Sequence, residues 1–295
     1  MSITRLPHLL VALGLLLPGV LAAMPVSFDE VMAQPSTPAD LLIAYGTHPD
    51  QVAELRLPHG PGPHPVVVLI HGGCWMQAYG LDHLRALADA ITGLGFATWN
   101  LEYRRPDGQT DGWPQTFADA ALGLDELRAI AEENALDLSE LTVLGHSAGG
   151  QIALWLAARP TLDPDHPLAF NGALPVDRVL ALAPITDVAG YASGGSGCAA
   201  GAIAALGGSP ELMPERYEAI NPIDNLPLAT RIDLVHPADD RIVPLAQSED
   251  FAARFAAAGG QVEMHLLAAP AGHFDVVMAY GPGWELLQRL LQAGR

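Results

Sequence analysis

One serine stands where a sharp turn would present it for chemistry. Ser147 lies in GHSAGG (145–150), after the apolar run 141–144 and before an apolar pattern of helical period that ends at Arg159. This order predicts a strand, a tight turn and a helix, and glycines next to the serine permit the close packing that such a turn demands. The free N–H groups at the helix start favour developing negative charge. We therefore expect Ser147 to be an exposed nucleophile.

A second glycine pair follows the most apolar strand pattern of the chain. Residues 66–70 (VVVLI) predict a strand that is buried on both faces, and HGGCW (71–75) comes directly after it. Two glycines at this point let backbone N–H groups turn into a cleft, where they can hold a tetrahedral oxyanion. We expect the N–H groups of Gly73, Cys74 and Ala148 to form this oxyanion hole.

Three side chains next to these motifs have competing interpretations. We expect His71 to hydrogen-bond within its own loop and to hold the loop's shape, with the role of general base as the alternative. Trp75 is a candidate wall of the substrate pocket, and the alternative is plain core packing. His146, beside the serine, is a second candidate for the pocket.

A base and an acid that orients it are both found after predicted strands. Asp240 lies in HPADDRIVP (236–244), and His273 lies in GHFD (272–275). Sheets of this kind build their sites at the carboxyl ends of the strands. The chain order serine, aspartate, histidine is that of α/β-hydrolases. The competing acids and histidines are Asp187, Asp239, Asp275, His236 and His265.

The elements that must position these residues alternate along the chain. Two edge strands, 41–45 and 52–57, come first. Strand patterns at 66–70, 96–100, 141–144, 179–183, 232–236 and 261–267 then alternate with helical patterns at 81–93, 114–134, 148–159, 245–258 and 275–292. This order predicts an α/β fold with a doubly wound, mostly parallel sheet and helices on both faces.

An insert at about 185–221 interrupts this alternation. It is rich in glycine, contains a short helical run at 199–206, and must lie over the carboxyl ends of the strands. We expect a small cap that shapes the substrate pocket, and the alternative is a solvated loop. Cys198 in this insert and Cys74 are the only cysteines, so either they form one disulfide or both are free thiols.

Charge and composition exclude several classes of function. The chain has 33 acidic and 14 basic residues, a net charge of −19, and this balance excludes nucleic acid as a partner. All the basic residues are arginine, which excludes Schiff-base chemistry and Ser-Lys dyads. The histidines form no metal-ligand pattern, and we expect neither a metal nor a cofactor. The sequence sets no expectation for the oligomeric state.

The first 23 residues have the composition of an export signal. Arg5 is their only charge, a leucine-rich run at 9–21 contains Pro18, and small residues follow. We expect a periplasmic or secreted protein without a stable membrane anchor, and the alternative is a cytoplasmic protein that starts at Met24. Residues 24–40 are then a lead-in segment, and 41–295 form a single domain.

Four motifs together resemble the α/β-hydrolase superfamily: HGGCW, GHSAGG, Asp240 four residues before Pro244, and GHFD. Within the superfamily they are similar to the branch of kynurenine formamidase-like enzymes and small carboxylesterases. The resemblance covers the chain from residue 41 onward. It implies an α/β-hydrolase fold and a triad of Ser147, His273 and Asp240, with Asp240 preferred to Asp239.

The function implied by this resemblance is that of a serine hydrolase. We expect it to cleave a small carboxylic ester through an acyl-enzyme, and an arylformamidase-type amide hydrolase is the alternative. A hypothesis of another class is a catalytically silent scaffold that binds a small molecule. Labelling of Ser147 by a fluorophosphonate distinguishes an enzyme from such a scaffold.

Overall fold

A single sheet of eight strands organises the protein. The computed structural model describes residues 24–166, 168–170, 172–195 and 197–293, and the expected export signal lies outside them. The strands are β1 Leu41–Ala44, β2 Val52–Arg56, β3 His64–Ile70, β4 Ala97–Leu101, β5 Leu136–His146, β6 Arg178–Leu182, β7 Arg231–Pro237 and β8 Val262–Leu267. Their order is β1-β2-β4-β3-β5-β6-β7-β8, and only the pairs β1–β2 and β2–β4 are antiparallel.

Ten α-helices accompany the sheet in the described part of the chain. They are α1 Phe28–Met32, α2 Arg85–Thr92, α3 Gln115–Asp125, α4 Leu127–Ile130, α5 Ala148–Ala158, α6 Val188–Ser193, α7 Ala199–Leu206, α8 Pro214–Ile220, α9 Ala246–Ala257 and α10 Gly281–Ala293. Two core clusters lie on opposite faces of the sheet. In β3, Val66 and Val68 belong to one cluster, and Val67 and Leu69 to the other. The structure thus confirms a doubly wound, mostly parallel α/β sheet.

Several elements differ in extent from the sequence-based expectation. The pattern at 81–93 forms a 3₁₀ turn at Leu81–Leu84 followed by α2. The pattern at 114–134 forms two helices, α3 and α4. The pattern at 275–292 breaks into a 3₁₀ turn and α10, because Met278 is extended and Gly281 has a positive φ of 78°. Strand β5 begins at Leu136 rather than at 141, since its polar start pairs with β3 across an irregularity in register.

The lead-in segment contains a helix that the sequence analysis did not predict. Ser27 and Glu30 form a capping box at the start of α1, and Val31 is buried in the core. The Asp275 carboxylate accepts a hydrogen bond from the Val26 N–H at 3.0 Å. The spacing of Ser27 and Glu30 is the sequence signal for such a helix start.

The insert between β6 and β7 carries α6, α7 and α8 and lies over the loop that follows β3. Cys198 precedes α7 and is bonded to Cys74, with a Cα–Cα distance of 4.9 Å. Gly201 packs so closely against the carbonyl of Cys74 that no Cβ would fit. The cysteines are therefore bridged, which was one of the two alternatives. None of the helices described has the length and apolar character needed to span a bilayer.

Candidate active site

The turn between β5 and α5 holds Ser147 in a backbone conformation that few residues adopt. Its φ is 57° and its ψ is −118°. A Cβ at Gly145 would overlap the carbonyl of Gly149, and a Cβ at Gly149 would overlap the carbonyl of Ile70. The glycines are therefore required by close packing, and the strain is held by the strand and helix on either side.

Ser147 is fully buried, although the sequence predicts an exposed serine. Its Oγ atom has no hydrogen-bond partner among the described residues. The loop after β3 covers it, since a Cβ at Gly72 would lie 3.0 Å from the Ser147 Cβ. The insert is bonded to that same loop through Cys198. The loop that covers Ser147 is more than 70 residues away in the chain, so the local motif does not contain this burial.

His273 and Asp240 come together at the carboxyl edge of the sheet. His273 Nδ1 lies 2.7 Å from Asp240 Oδ2. Asp240 Oδ1 accepts hydrogen bonds from the N–H groups of Ile242 at 2.8 Å and Val243 at 2.9 Å. Burial by itself raises the pKa of Asp240, but the hydrogen bond and charge of His273 and the two N–H groups outweigh it and lower that pKa. Asp240 is thus an ionised acceptor, and Nδ1 of His273 is the donor.

The competing acids are engaged elsewhere or face solvent. Asp239 is exposed. Asp187 caps α6 by accepting the Gly190 N–H at 2.9 Å. Asp275 accepts the N–H groups of Val26 and Gly272. None of the three makes the contact with His273 that Asp240 makes in the described structure.

The competing histidines also have other partners. His236 is buried, lies 2.8 Å from Ser248 Oγ through Nδ1, and donates from Nε2 to the Val243 carbonyl at 3.0 Å. His265 Nε2 lies 2.9 Å from Asp233 Oδ1 on the neighbouring strand. Of these histidines, His273 is the one that is both oriented by a buried acid and close to the serine turn. Its ring centroid lies 4.6 Å from that of His146.

The loop after β3 turns three backbone units into the left-handed region. The φ values of Gly73, Cys74 and Trp75 are 103°, 56° and 54°. The N–H groups of Gly73, Cys74 and Ala148 donate no hydrogen bond to any described residue. Free N–H groups on a strained loop over the serine are what an oxyanion hole requires.

Several contacts hold this loop, which we call the HGGCW loop (residues 71–75), and some of them involve residues that the sequence analysis missed. The predicted hydrogen bond of His71 within the loop is present, and Glu102 holds the same ring from the other side. Gln151 on α5 accepts the Trp75 indole N–H at 3.3 Å. The Cys198 disulfide is a further contact. Glu102 directly follows β4 at the carboxyl edge, and that position was a signal for it.

His146 and Trp75, the predicted pocket residues, are both buried. His146 donates from Nε2 to the His273 carbonyl at 3.0 Å, and its Nδ1 lies 3.1 Å from His83 Nε2. Burial and the neighbouring histidines hold the pKa of His146 well below its usual value. Trp75 also lines a cavity of about 570 Å³ together with Ala204 of the cap. Their roles toward substrate stay predictions.

One cluster in the described residues has the composition of a metal site. Ligand atoms of Asp233, Glu263 and His265 lie within 4.8 Å of one another. Asp233 is already paired with Arg178 at 2.7 Å, and Arg231 is nearby. The two arginines make this group an ion-pair network rather than a cation site.

Solved structures with the same fold match most of the chain. A truncated carbohydrate esterase from gut microbiota matches with a TM-score of 0.74 and 17% identity, over 87% of this chain and 98% of the other. Esterase B from Lactobacillus rhamnosis, inhibited by a C6-C4 SN3 compound, gives 0.74 and 19%, over 90% of each chain. Thermogutta terrifontis esterase 2, phosphoramylated by tabun, gives 0.69 and 18%, over 88% and 94%. These likenesses establish the shared fold.

A family model identifies the chain more directly. No curated protein matches the sequence. The BD-FAE family model matches residues 55–255, which is more than half of the chain and includes β3, the serine turn, the cap and Asp240. The protein therefore belongs to the BD-FAE family, an esterase family of the α/β-hydrolase type.

Proposed function

We propose that this protein is a serine esterase that cleaves a small carboxylic ester through an acyl-enzyme. One observation carries the proposal: the 2.7 Å contact of His273 with a buried, ionised Asp240, next to a serine on a strained turn. In this arrangement Ser147 is the nucleophile, His273 the general base and Asp240 the residue that orients the base.

The reaction proceeds in two steps, the acylation of Ser147 and the hydrolysis of the acyl-enzyme. Ser147 Oγ attacks the acyl carbonyl while His273 Nε2 takes its proton, and His273 then returns that proton to the leaving alcohol. Water next attacks the acyl-enzyme with His273 again as base, which releases the acid and restores Ser147. Asp240 keeps Nδ1 protonated throughout and stabilises the imidazolium that forms.

The free N–H groups of Gly73, Cys74 and Ala148 stabilise the charge on the carbonyl oxygen in both steps. Loss of one such donor typically reduces turnover by about 100- to 1,000-fold. A strained loop held by several contacts suits this task, because donors that are already oriented need no reorganisation during the reaction.

The ester substrate is favoured by the family and by the named activities of proteins with this fold. The similar structures include a carbohydrate esterase and an acetyl ester-xyloside hydrolase. The full burial of the serine further favours a small acyl group. No feature of the site separately supports the formamide alternative.

Labelling of the purified protein by a fluorophosphonate tests the mechanism. We expect the wild-type protein to be labelled and Ser147→Ala to be unlabelled. Ser139→Ala is the matched control, because Ser139 is an exposed residue of β5 and should not affect labelling. A folded wild-type protein that takes no label would refute the serine-esterase proposal and favour the silent scaffold.

A panel of substrates tests the acyl specificity. We expect hydrolysis of p-nitrophenyl acetate to be faster than that of butyrate, with octanoate slowest, because the serine is fully buried. N-formylkynurenine should be cleaved more slowly than the acetate ester. Faster cleavage of N-formylkynurenine than of the acetate ester would replace the ester proposal by the arylformamidase alternative. The serine mechanism would stay intact.

A further inference from the structure

His71 is the first residue of the HGGCW loop, and its side chain bonds to the backbone of the same loop. Its Nδ1 atom is 2.7 Å from the carbonyl oxygen of Gly72. A carbonyl oxygen only accepts, so Nδ1 carries the proton and donates it. The side chain is fully buried, and water does not compete for this bond.

This bond determines where the next N–H group points. The peptide between Gly72 and Gly73 is trans and planar, so its C=O and N–H point in opposite directions. When His71 holds the C=O on its own side, the N–H of Gly73 must point away from the ring. A rotation of this peptide would put a carbonyl oxygen where the oxyanion needs a donor, and two glycines make that rotation easy.

Glu102 and Tyr103 hold the His71 ring in place. Glu102 Oε1 lies 2.8 Å from Nε2. The Tyr103 ring stacks on the imidazole, with ring centroids 4.3 Å apart and planes 8° from parallel, and its hydroxyl donates to the His71 carbonyl at 2.8 Å. The ring therefore has one position, and its bond to Gly72 has one direction.

The neighbours of Glu102 favour the ionised form of its carboxyl group. Burial alone raises the pKa of Glu102, but His71, Arg105 and the Leu81 N–H outweigh burial and lower the pKa to about 2. Arg105 contacts Oε1, and the Leu81 N–H donates to Oε2 at 2.9 Å. This carboxylate therefore lies fixed against the Nε2 edge of the His71 ring, where Arg105 Nη1 also lies 3.2 Å from Nε2.

We propose that His71 is a positioning residue for the oxyanion hole. Its Nδ1–H holds the Gly72 carbonyl and thereby aims the Gly73 N–H, and Glu102 holds the ring from its other nitrogen. The inference rests on the proposed esterase function, because it assigns a role to the donor that this function uses.

Two substitutions separate the role of each ring nitrogen. The amide nitrogen of asparagine takes the place of Nδ1, and that of glutamine takes the place of Nε2. His71→Asn keeps the bond to Gly72, whereas His71→Gln keeps only the contact with Glu102. We expect His71→Asn to keep kcat within about 5-fold of wild type and His71→Gln to lose about 100-fold, with KM nearly unchanged in both.

The rate of fluorophosphonate labelling gives a second readout, since the phosphonyl oxygen occupies the same hole. It should fall for His71→Gln in step with kcat. Equal losses in the two folded variants, or a loss confined to KM, would overturn the inference. If the inference fails in this way but wild type is labelled and Ser147→Ala is not, the proposed function still stands. An unlabelled wild type would mean that the proposed function itself is wrong.

NMR of the wild-type protein tests the inference without the use of any variant. With 15N-histidine and glycine labelled with 13C at the carbonyl, NMR should show a slowly exchanging Nδ1–H coupled to one glycine carbonyl across the hydrogen bond. Absence of a protonated Nδ1 with this coupling would overturn the inference.

Discussion

At the residue scale, two adjacent aspartates provide a matched pair. Asp240 is bonded to His273, whereas Asp239 is exposed. We expect Asp240→Asn to lower kcat by about 10³- to 10⁴-fold, because the asparagine amide would favour the wrong tautomer of His273. Asp239→Asn should keep wild-type kcat on p-nitrophenyl acetate. Reversed effects would show that Asp239 is the orienting acid.

His83 is a second residue whose environment has a measurable consequence. It is buried under Phe28 and Phe274, and its Nε2 lies 3.1 Å from His146 Nδ1. Nε2 of His146 donates to a carbonyl, so its Nδ1 accepts and His83 donates. Burial, with the charges of His71 and His273, lowers the pKa of His83 from 6.5 to about 3.

The unfolded chain therefore binds a proton at His83 at a higher pH than the folded chain does. Stability is lost as the pH falls from about 6.5 toward 3, and this residue accounts for about 2 kcal/mol of the loss at pH 5. His83→Gln keeps a donor toward His146 but does not titrate. Urea unfolding at pH 7 and pH 5 should show a loss about 2 kcal/mol smaller in the variant. Equal losses would contradict this origin of the acid sensitivity.

At the element scale, the disulfide joins the HGGCW loop to the insert between β6 and β7 across a separation of 124 residues. Cross-linking so long a loop restricts the unfolded chain, and removing such a bond typically costs about 2 to 5 kcal/mol. We expect the double variant Cys74→Ala/Cys198→Ala to unfold at a lower urea concentration. The backbone N–H of residue 74, a proposed oxyanion donor, is retained in it.

Reductant provides the control for that variant. It should lower the unfolding midpoint of wild type to that of the double variant and should leave the double variant unchanged. An equal effect of reductant on both proteins would show that the bridge is not the source of the difference.

At the scale of the whole molecule, the disulfide and the composition of residues 1–23 lead us to expect export to an oxidising compartment. Disulfides persist in oxidising environments, and no free cysteine is present among the described residues. We expect the protein recovered from the periplasm or medium to begin at Met24 and to take up no alkylating agent without reductant. Recovered protein that still contains residues 1–23 and carries two alkylated thiols in the absence of reductant would contradict export.

The sequence by itself determined the parts of this protein that depend on neighbours in the chain. The strand, turn and helix around Ser147 follow from apolar spacing and from glycines that the turn requires. The alternation of elements predicted the sheet, and the helical run at 199–206 matches α7. The triad and the oxyanion donors, which stay predictions, came from motifs of a few residues each.

The tertiary structure decided what depends on residues far apart in the chain. It distinguished Asp240 from the other acids, bonded Cys74 to Cys198, and buried Ser147 under the loop that follows β3. It also placed Glu102 against His71, 31 residues away, and His83 against His146, 63 residues away. Periodicity and turn chemistry report only local preferences, whereas these contacts arise where parallel strands bring their carboxyl ends to one edge.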